Sequence, residues 1–232
     1  AALTDRSPST SAFPWYRGPA FILLVVLISV YAVGTFIGHD GLGAYLINAL
    51  LWVSLLLGVR KITNSPKALK VALGIVIVGV VGHVLIQRLA ERPAYLWNSV
   101  ASLVFFSAVL VFLVWALFKA KRVDADTVFA ASAVFLLLGI VCAYAFMLVY
   151  AADPGAFSLT EADMADPAPA LLHYSFTTLT TVGYGSISPM SNMARMISDL
   201  EAIIAQLYLA VILARLVSLE IEHSRRAGGG ES

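Results

Sequence analysis

Five stretches of the chain contain no Asp, Glu, Lys or Arg, and each is about as long as one membrane crossing. They cover residues 18–39, 41–59, 71–87, 93–118 and 127–152. A helix needs about 20 apolar residues to cross the hydrocarbon core of a bilayer. A sixth, less pure segment runs from about Asn192 to about Leu219. With 60% apolar residues, the pattern predicts an all-α membrane protein with six transmembrane helices. It excludes soluble, disordered and nucleic-acid-binding proteins.

The basic residues predict how these segments are oriented. If the N-terminus is cytoplasmic, only three of the 15 Lys and Arg residues lie on the outer side, namely Arg88, Arg92 and Arg195. Lys and Arg are enriched in cytoplasmic loops. We therefore expect both the N-terminus and the C-terminus to be cytoplasmic.

Residues 153–191 fit neither a spanning helix nor a simple loop. They begin with an acidic, Pro-rich stretch and continue with the apolar run Ala170–Leu179. This run is about three turns long, so as a helix it reaches only about halfway across a bilayer. Pro167 or Pro169 suits its first turn. We interpret the four acidic residues either as solvated loop charge or as a means of concentrating cations.

The sequence Thr181-Val182-Gly183-Tyr184-Gly185 follows this run and resembles the selectivity filter of potassium channels. With the flanking residues, the resemblance covers roughly 127–223. It implies a homotetrameric pore, with a re-entrant pore helix and one filter strand from each chain. It also implies a protein that is not an enzyme and that conducts K⁺ passively. No cofactor is expected besides the permeant K⁺ ions.

The occurrence of glycine at two positions of this sequence has a physical explanation. Gly183 and Gly185 can adopt a positive φ at little cost, which allows successive carbonyl groups to face one axis. The resemblance implies that K⁺ binds at Thr181, Val182, Gly183 and Tyr184, and that Gly185 completes the filter. The side chains of Val182 and Tyr184 are expected to point away from the ions and to pack.

Three residues are predicted to support the filter, namely Thr177, Tyr174 and Glu201. Thr177 stands where some members of the family have an acidic residue. Tyr174, or its neighbour His173, is expected to bond to Tyr184 or simply to pack. We expect Glu201 behind the pore helix as a hydrogen-bond acceptor, with ion contact and proton sensing as alternatives, because intramembrane acids are costly.

Two further features follow from the resemblance. Ser186 stands where many members of the family carry Asp, so the bracing of the outer mouth of the filter is in question. On the sixth segment, one helix face is expected to line the pore cavity. Its four residues follow the spacing i, i+4, i+7, i+11, which places them on the same side of a helix. These residues are Ala202, Gln206, Leu209 and Leu213.

The remaining segments complete the predicted organisation. Residues 1–126 are expected to form a four-helix peripheral transmembrane domain, 127–223 the pore domain and 224–232 a flexible cytoplasmic tail. The fourth segment, 93–118, has no Arg or Lys, so it does not resemble a voltage sensor, which needs several such charges. The short linker that follows it favours peripheral helices packed on the pore unit of their own chain.

The predicted partners are three further copies of the chain and the lipid bilayer. We expect neither nucleic acid nor a cytosolic regulatory domain in this chain. The resemblance implies a prokaryotic inner (plasma) membrane. Two alternatives stay open: a non-conducting or modulatory membrane subunit that assembles with other channel chains, and a K⁺ transporter of the pore-loop kind.

Overall fold

A computed structural model describes residues 18–36, 74, 93–120 and 124–228. In this part of the chain, three helices are long and apolar enough to cross a membrane. Their spanning portions are Ser99–Lys119, Ala125–Ala152 and Asn192–Ile221. The predicted segments 41–59 and 71–87 lie outside the described residues, apart from Gly74. The helices thus account for the fourth, fifth and sixth predicted segments.

The fifth predicted segment forms the central helix of the chain. Helix α1 (Pro19–Phe36) and helix α2 (Pro93–Lys119) both pack against α3 (Ala125–Ala152). The side chains in this core are almost completely buried because each helix presents apolar residues to the other two. They are Leu23, Leu27, Phe105, Phe106, Leu113, Ala133, Val134, Leu137 and Ile140. Within the single chain, α1 and α2 therefore pack on α3.

Two aspartates hold the start of α3 in place. Asp124 is the N-cap residue, and its Oδ1 accepts a 2.8 Å hydrogen bond from the amide of Thr127. Asp126 lies in the first turn, and its Oδ1 accepts a 3.1 Å bond from the amide of Ala20 in α1. A carboxylate is favourable near a helix N-terminus, where backbone amides lack partners. Asp126 therefore joins the N-terminal ends of α1 and α3.

Aromatic contacts show how the three helices run. Phe21 near the start of α1 packs on Phe129 near the start of α3, with ring centroids 5.1 Å apart, so α1 and α3 are parallel. Leu117 at the end of α2 packs with Ala131 near the start of α3, so α2 is antiparallel to α3. The end of α1 and the start of α2 consequently lie on the same side of the molecule.

The chain leaves α3 through two short elements. Asp153 caps the end of α3 by donating its amide to the carbonyl of Val149, and the 3₁₀ turn Pro154–Ala156 follows. Helix α4 (Glu161–Ala165) begins with a capping box, in which Thr160 and Asp163 satisfy each other's backbone amides. The carboxylates of Asp153 and Asp163 thus accept backbone amides, those of Gly155 and Thr160.

Two helices flank the filter sequence. Helix α5 (Pro167–Leu179) has 13 residues and Pro in its first turn, as the sequence predicts. At ~1.5 Å per residue it is shorter than the hydrocarbon core. Helix α6 (Asn192–Gly228) runs antiparallel to α3, and the hydroxyl of Tyr208 donates a 2.6 Å bond to the carbonyl of Ala131.

Helix α6 continues beyond its predicted end near Leu219. It ends at Gly228, so the tail predicted for 224–232 begins inside the helix.

Candidate functional site

The filter sequence begins as the cap of α5. Thr181 has a φ of +60°, and its amide donates to the carbonyl of Thr178 at 3.0 Å. The amide of Val182 donates to the carbonyl of Thr177 at 2.9 Å. Together these bonds form a Schellman motif, which usually has glycine at the left-handed position. A β-branched residue is unusual there. The carbonyls of the last turn of α5 are therefore bonded to the first amides of the filter.

The sign of φ alternates along the backbone of the filter sequence. Thr181, Gly183 and Gly185 have φ values of +60°, +54° and +78°, and among the described residues these are the only positive values. In a β-strand, neighbouring carbonyls point in opposite directions. A φ that changes sign at every residue departs from that geometry and permits carbonyls to share a direction. Glycine is needed here for its backbone freedom, because a Cβ at either glycine would meet nothing within 4 Å.

The Tyr184 side chain of the filter sequence stacks on a histidine of α5. The ring of His173 in α5 is nearly parallel to that of Tyr184, with centroids 5.9 Å apart and planes 7° apart. Tyr184 is otherwise 74% exposed and Val182 is 52% exposed in the single chain. Of the two aromatic residues considered for this role, His173 rather than Tyr174 contacts Tyr184.

Tyr174 supports the site from another side. Its hydroxyl lies 2.7 Å from Ser198 Oγ on α6, and the Ser198 hydroxyl donates to the carbonyl of Ala194. A serine hydroxyl has one hydrogen, so Tyr174 is the donor to Ser198. The ring of Tyr174 also packs edge-on against Phe146 and Phe157. Tyr174 thus connects α5 to α6 and to the loop after α3.

Thr177 contributes through its backbone. Its carbonyl accepts the amides of Val182 and Gly183, at 2.9 and 3.2 Å. Its hydroxyl donates back to the carbonyl of Tyr174 at 2.9 Å, a local bond that threonine commonly makes within a helix. Thr177 therefore holds the start of the filter sequence by its backbone carbonyl. Every amino acid has this group, so the contact does not require threonine.

The chain leaving the filter is fastened to the loop that precedes α4. Ser188 and Ser158 exchange two bonds, in which the Ser188 amide donates to Ser158 Oγ and the Ser158 amide donates to the Ser188 carbonyl. The amide of Met190 donates to the carbonyl of Ala156 at 2.8 Å. Phe157, in the same loop, is 2% exposed. These contacts fix the filter at its second end.

Glu201 lies in a buried contact between α3, α5 and α6. The hydroxyl oxygen of Ser175 is 2.8 Å from the carbonyl oxygen of Gly139 and 2.5 Å from Glu201 Oε1. Glu201 is 1% exposed and Ser175 is fully buried. The carboxyl group therefore lies behind α5, and Ser175 connects it to the Gly139 carbonyl of α3.

The close approach of α5 to α3 depends on Gly139. A Cβ at this position would lie 3.1 Å from atoms of both Phe176 and Leu179. Such distances are tighter than ordinary van der Waals contact, so a side chain would force the helices apart. The Gly139 carbonyl accepts the hydroxyl of Ser175 at the same contact.

The face of α6 predicted to line a cavity is mostly uncovered. Gln206, Leu209 and Leu213 are exposed and Ala202 is half-buried. A cavity of about 360 Å³ lies behind the filter strand, and its lining includes Ala202, Thr178, Thr181 and Ser186. Within the described residues no three His, Cys, Asp or Glu side chains cluster.

Residues 145–221 match the family model described as "Ion channel". The match begins in the second half of α3 and includes α5, the filter sequence and most of α6. It supports an ion channel family, hence a transport protein rather than an enzyme. With the three long apolar helices, it supports a membrane protein. Comparisons with curated proteins and with solved structures gave no match.

Sequence reasoning missed several residues that build this site. Ser198 precedes Glu201 by three positions, which places both on one face of a helix, so their spacing was an available signal. Gly139 is a glycine within an otherwise continuous apolar helix, which also suggests a close contact. No local pattern indicated Ser158 or Ser188, because their pairing joins segments 30 residues apart.

Proposed function

We propose that the chain forms one quarter of a homotetrameric, K⁺-selective channel that conducts K⁺ passively. The alternating φ values at Thr181, Gly183 and Gly185, directly after a short helix, are the observation that carries the proposal. They occur within the residues that match the ion channel family model. Four such strands around one axis would present rings of carbonyl oxygens that replace the hydration shell of K⁺.

The exposed surfaces of the single chain support an oligomer. About 11% of the apolar span of α6 is buried, and the filter strand is exposed from Thr181 to Ser186. Backbone without regular hydrogen bonding is tolerated at membrane depth only where it lines water or is covered by protein. In a tetramer, neighbouring chains would cover Val182 and Tyr184, and one face of α6 would line the cavity. That face carries Ala202, Gln206, Leu209 and Leu213.

The peripheral helices fit a six-span chain with both termini in the cytoplasm. Helix α1 is parallel to α3 and α2 is antiparallel to it, so the end of α1 and the start of α2 lie on the same side of the molecule. Two crossings satisfy that condition. Helix α2 has a single charged residue, Lys119 in its last turn, so we propose a channel without a voltage-sensing helix. We also propose that the channel lies in a prokaryotic inner membrane.

The proposal is tested by ion flux into liposomes that contain the purified protein alone. We expect K⁺ uptake down a K⁺ gradient, block of that uptake by Ba²⁺, and no comparable Na⁺ uptake. Equal K⁺ and Na⁺ flux would contradict K⁺ selectivity. Absence of flux from a protein that is monomeric in detergent would instead favour the modulatory subunit that assembles with other channel chains.

A pair of glycine variants controls for general damage. Gly183→Ala places a side chain at a φ of +54°, whereas Gly155→Ala changes an exposed glycine in the loop before α4. We expect the first variant to abolish selective K⁺ flux and the second to retain it. Loss of flux in both would mean that the assay reports the stability of the re-entrant region rather than the filter.

A further inference from the structure

The hydrogen atoms around Ser175 can be counted. Its oxygen is within hydrogen-bond distance of two other oxygens, the Gly139 carbonyl at 2.8 Å and Glu201 Oε1 at 2.5 Å. A serine hydroxyl has one hydrogen, a carbonyl has none, and an ionised carboxylate has none. One hydrogen shared between two acceptors forms a weaker three-centre bond, so two full hydrogen bonds among these three oxygens need two hydrogens. In this arrangement only a protonated Glu201 can supply the second.

The surroundings of Glu201 favour the same state. Its Oε2 is buried and has no hydrogen-bond partner among the described residues. An ionised carboxylate is expensive to bury unless both oxygens are paired. The titratable groups that face it are Cys142 on α3 and Tyr174 on α5, with Asp199 exposed on α6 itself. The Cys142 thiol lies close to Glu201, and none of the three groups is a cation.

We propose that Glu201 is held as the neutral carboxylic acid and acts as a positioning residue for α5. The carboxyl group donates its hydrogen to Ser175 Oγ, and Ser175 donates its own hydrogen to the carbonyl of Gly139. The chain of two bonds fastens α5 between α6 and α3. Because the C-terminus of α5 continues directly into the filter through Thr181, this chain sets the position of the filter's first residue.

A pH dependence follows from the hydrogen count. The arrangement needs the neutral acid, so it is complete at low pH and is lost as the pH rises far enough to ionise Glu201. Once Glu201 is ionised, the single hydrogen of Ser175 can form a full hydrogen bond with the carboxylate or with Gly139, but not with both. One of the two attachments of α5 is then broken.

Infrared spectroscopy of the protein in liposomes tests the protonation state directly. At about pH 8, exposed carboxyl groups, which ionise near pH 4, no longer contribute a carboxylic-acid carbonyl band. We expect the wild-type protein to retain such a band, E201Q to lack it, and the matched control D199N to keep it. Removal of the acceptor in S175A should shift the frequency of the band without removing it. Should E201Q fail to fold, the carboxylic-acid band of the wild-type protein still tests whether Glu201 is protonated. Its absence at about pH 8 would overturn the proposal.

Ion flux supplies a second readout, which rests on the proposed channel function. Wild-type K⁺ flux should fall several-fold as the pH is raised, together with the loss of the infrared band. E201Q should keep its flux at high pH, because an amide can donate to Ser175 at any pH, and D199N should behave as the wild type does. A high-pH loss that is identical in E201Q would overturn the link between Glu201 and the filter. Absence of flux from every variant would contradict the channel function, while the infrared result would still decide the protonation state.

Discussion

The guanidinium group of Arg215 donates a 2.6 Å hydrogen bond to the carbonyl oxygen of Phe118. The same nitrogen lies 3.0 Å from the carbonyl of Ala120, and the guanidinium carbon lies 5.0 Å from the centre of the Phe118 ring. The last carbonyls of a helix have no partner within that helix. Arg215 of α6 therefore caps the end of α2 and joins that helix to the C-terminal half of α6.

Substitution of Arg215 should loosen this junction. We expect R215Q to lower the free energy of unfolding in detergent micelles by about 1.5–3 kcal/mol, the usual contribution of a hydrogen bond to a charged group. R215K should retain part of that amount, because an ammonium group can still bond to a carbonyl. E220Q, an exposed change on the same helix, serves as the control. Equal stability of R215Q and E220Q would show that the cap contributes nothing.

A side chain at position 139 should disturb the packing of α5 against α3. The new Cβ of Gly139→Ala would meet Phe176 and Leu179 at 3.1 Å, and overpacking of this kind typically costs about 1–3 kcal/mol. Gly139→Val should cost more, because it adds two methyl groups at the same place. Thermal unfolding of the purified protein measures both. Ser132→Ala, at an exposed position of the same helix, should change the midpoint little. A Gly139→Ala variant as stable as the wild type would mean that α5 can move away from α3 at no cost.

The stack of His173 on Tyr184 should matter for selectivity. An aromatic pair of this kind contributes about 0.5–1.5 kcal/mol beyond the area that it buries. We expect His173→Ala to lower the ratio of K⁺ to Na⁺ flux, since Tyr184 would lose its contact within the chain. His173→Phe keeps an aromatic ring and should retain most of the ratio. If the alanine variant is as selective as the wild type, the neighbouring chains hold Tyr184 by themselves.

The long helices could be predicted from the sequence because their cause is local. A stretch such as 127–152 has no charge, and every residue in it can be buried or face lipid. The short helix α5 is predictable for the same reason, since Pro167 starts it and the apolar run is too short to cross. The positive φ values of Gly183 and Gly185 were also predictable, because glycine is the residue that adopts them readily.

The contacts that brace the site could not be predicted in this way. Arg215 looks like a topology signal in the sequence, and only its distance to Phe118 shows that it caps α2. His173 and Tyr174 are adjacent aromatic rings, and the rotation of α5 decides which of them reaches Tyr184. Each contact depends on how two distant helices are placed, which a local pattern does not contain.

Thr181 offers a test in which stability and function should move in opposite directions. Its φ of +60° is costly for a β-branched residue, by about 1–2 kcal/mol relative to glycine. We expect Thr181→Gly to raise the midpoint of thermal unfolding, because glycine adopts this conformation without a clash. The same change removes the hydroxyl from the inner end of the filter, so Ba²⁺ block and K⁺ selectivity should both weaken.

The neighbouring threonine provides the matched control for this prediction. Thr180 has a φ of −86°, and its hydroxyl donates a 2.6 Å bond to the carbonyl of Phe176. Thr180→Gly relieves no unfavourable φ and removes a hydrogen bond, so it should lower the unfolding midpoint. A Thr181→Gly variant that is destabilised to the same extent would show that the left-handed cap of α5 is not strained. A variant that is stabilised and fully selective would show that carbonyl oxygens alone form the inner end of the filter.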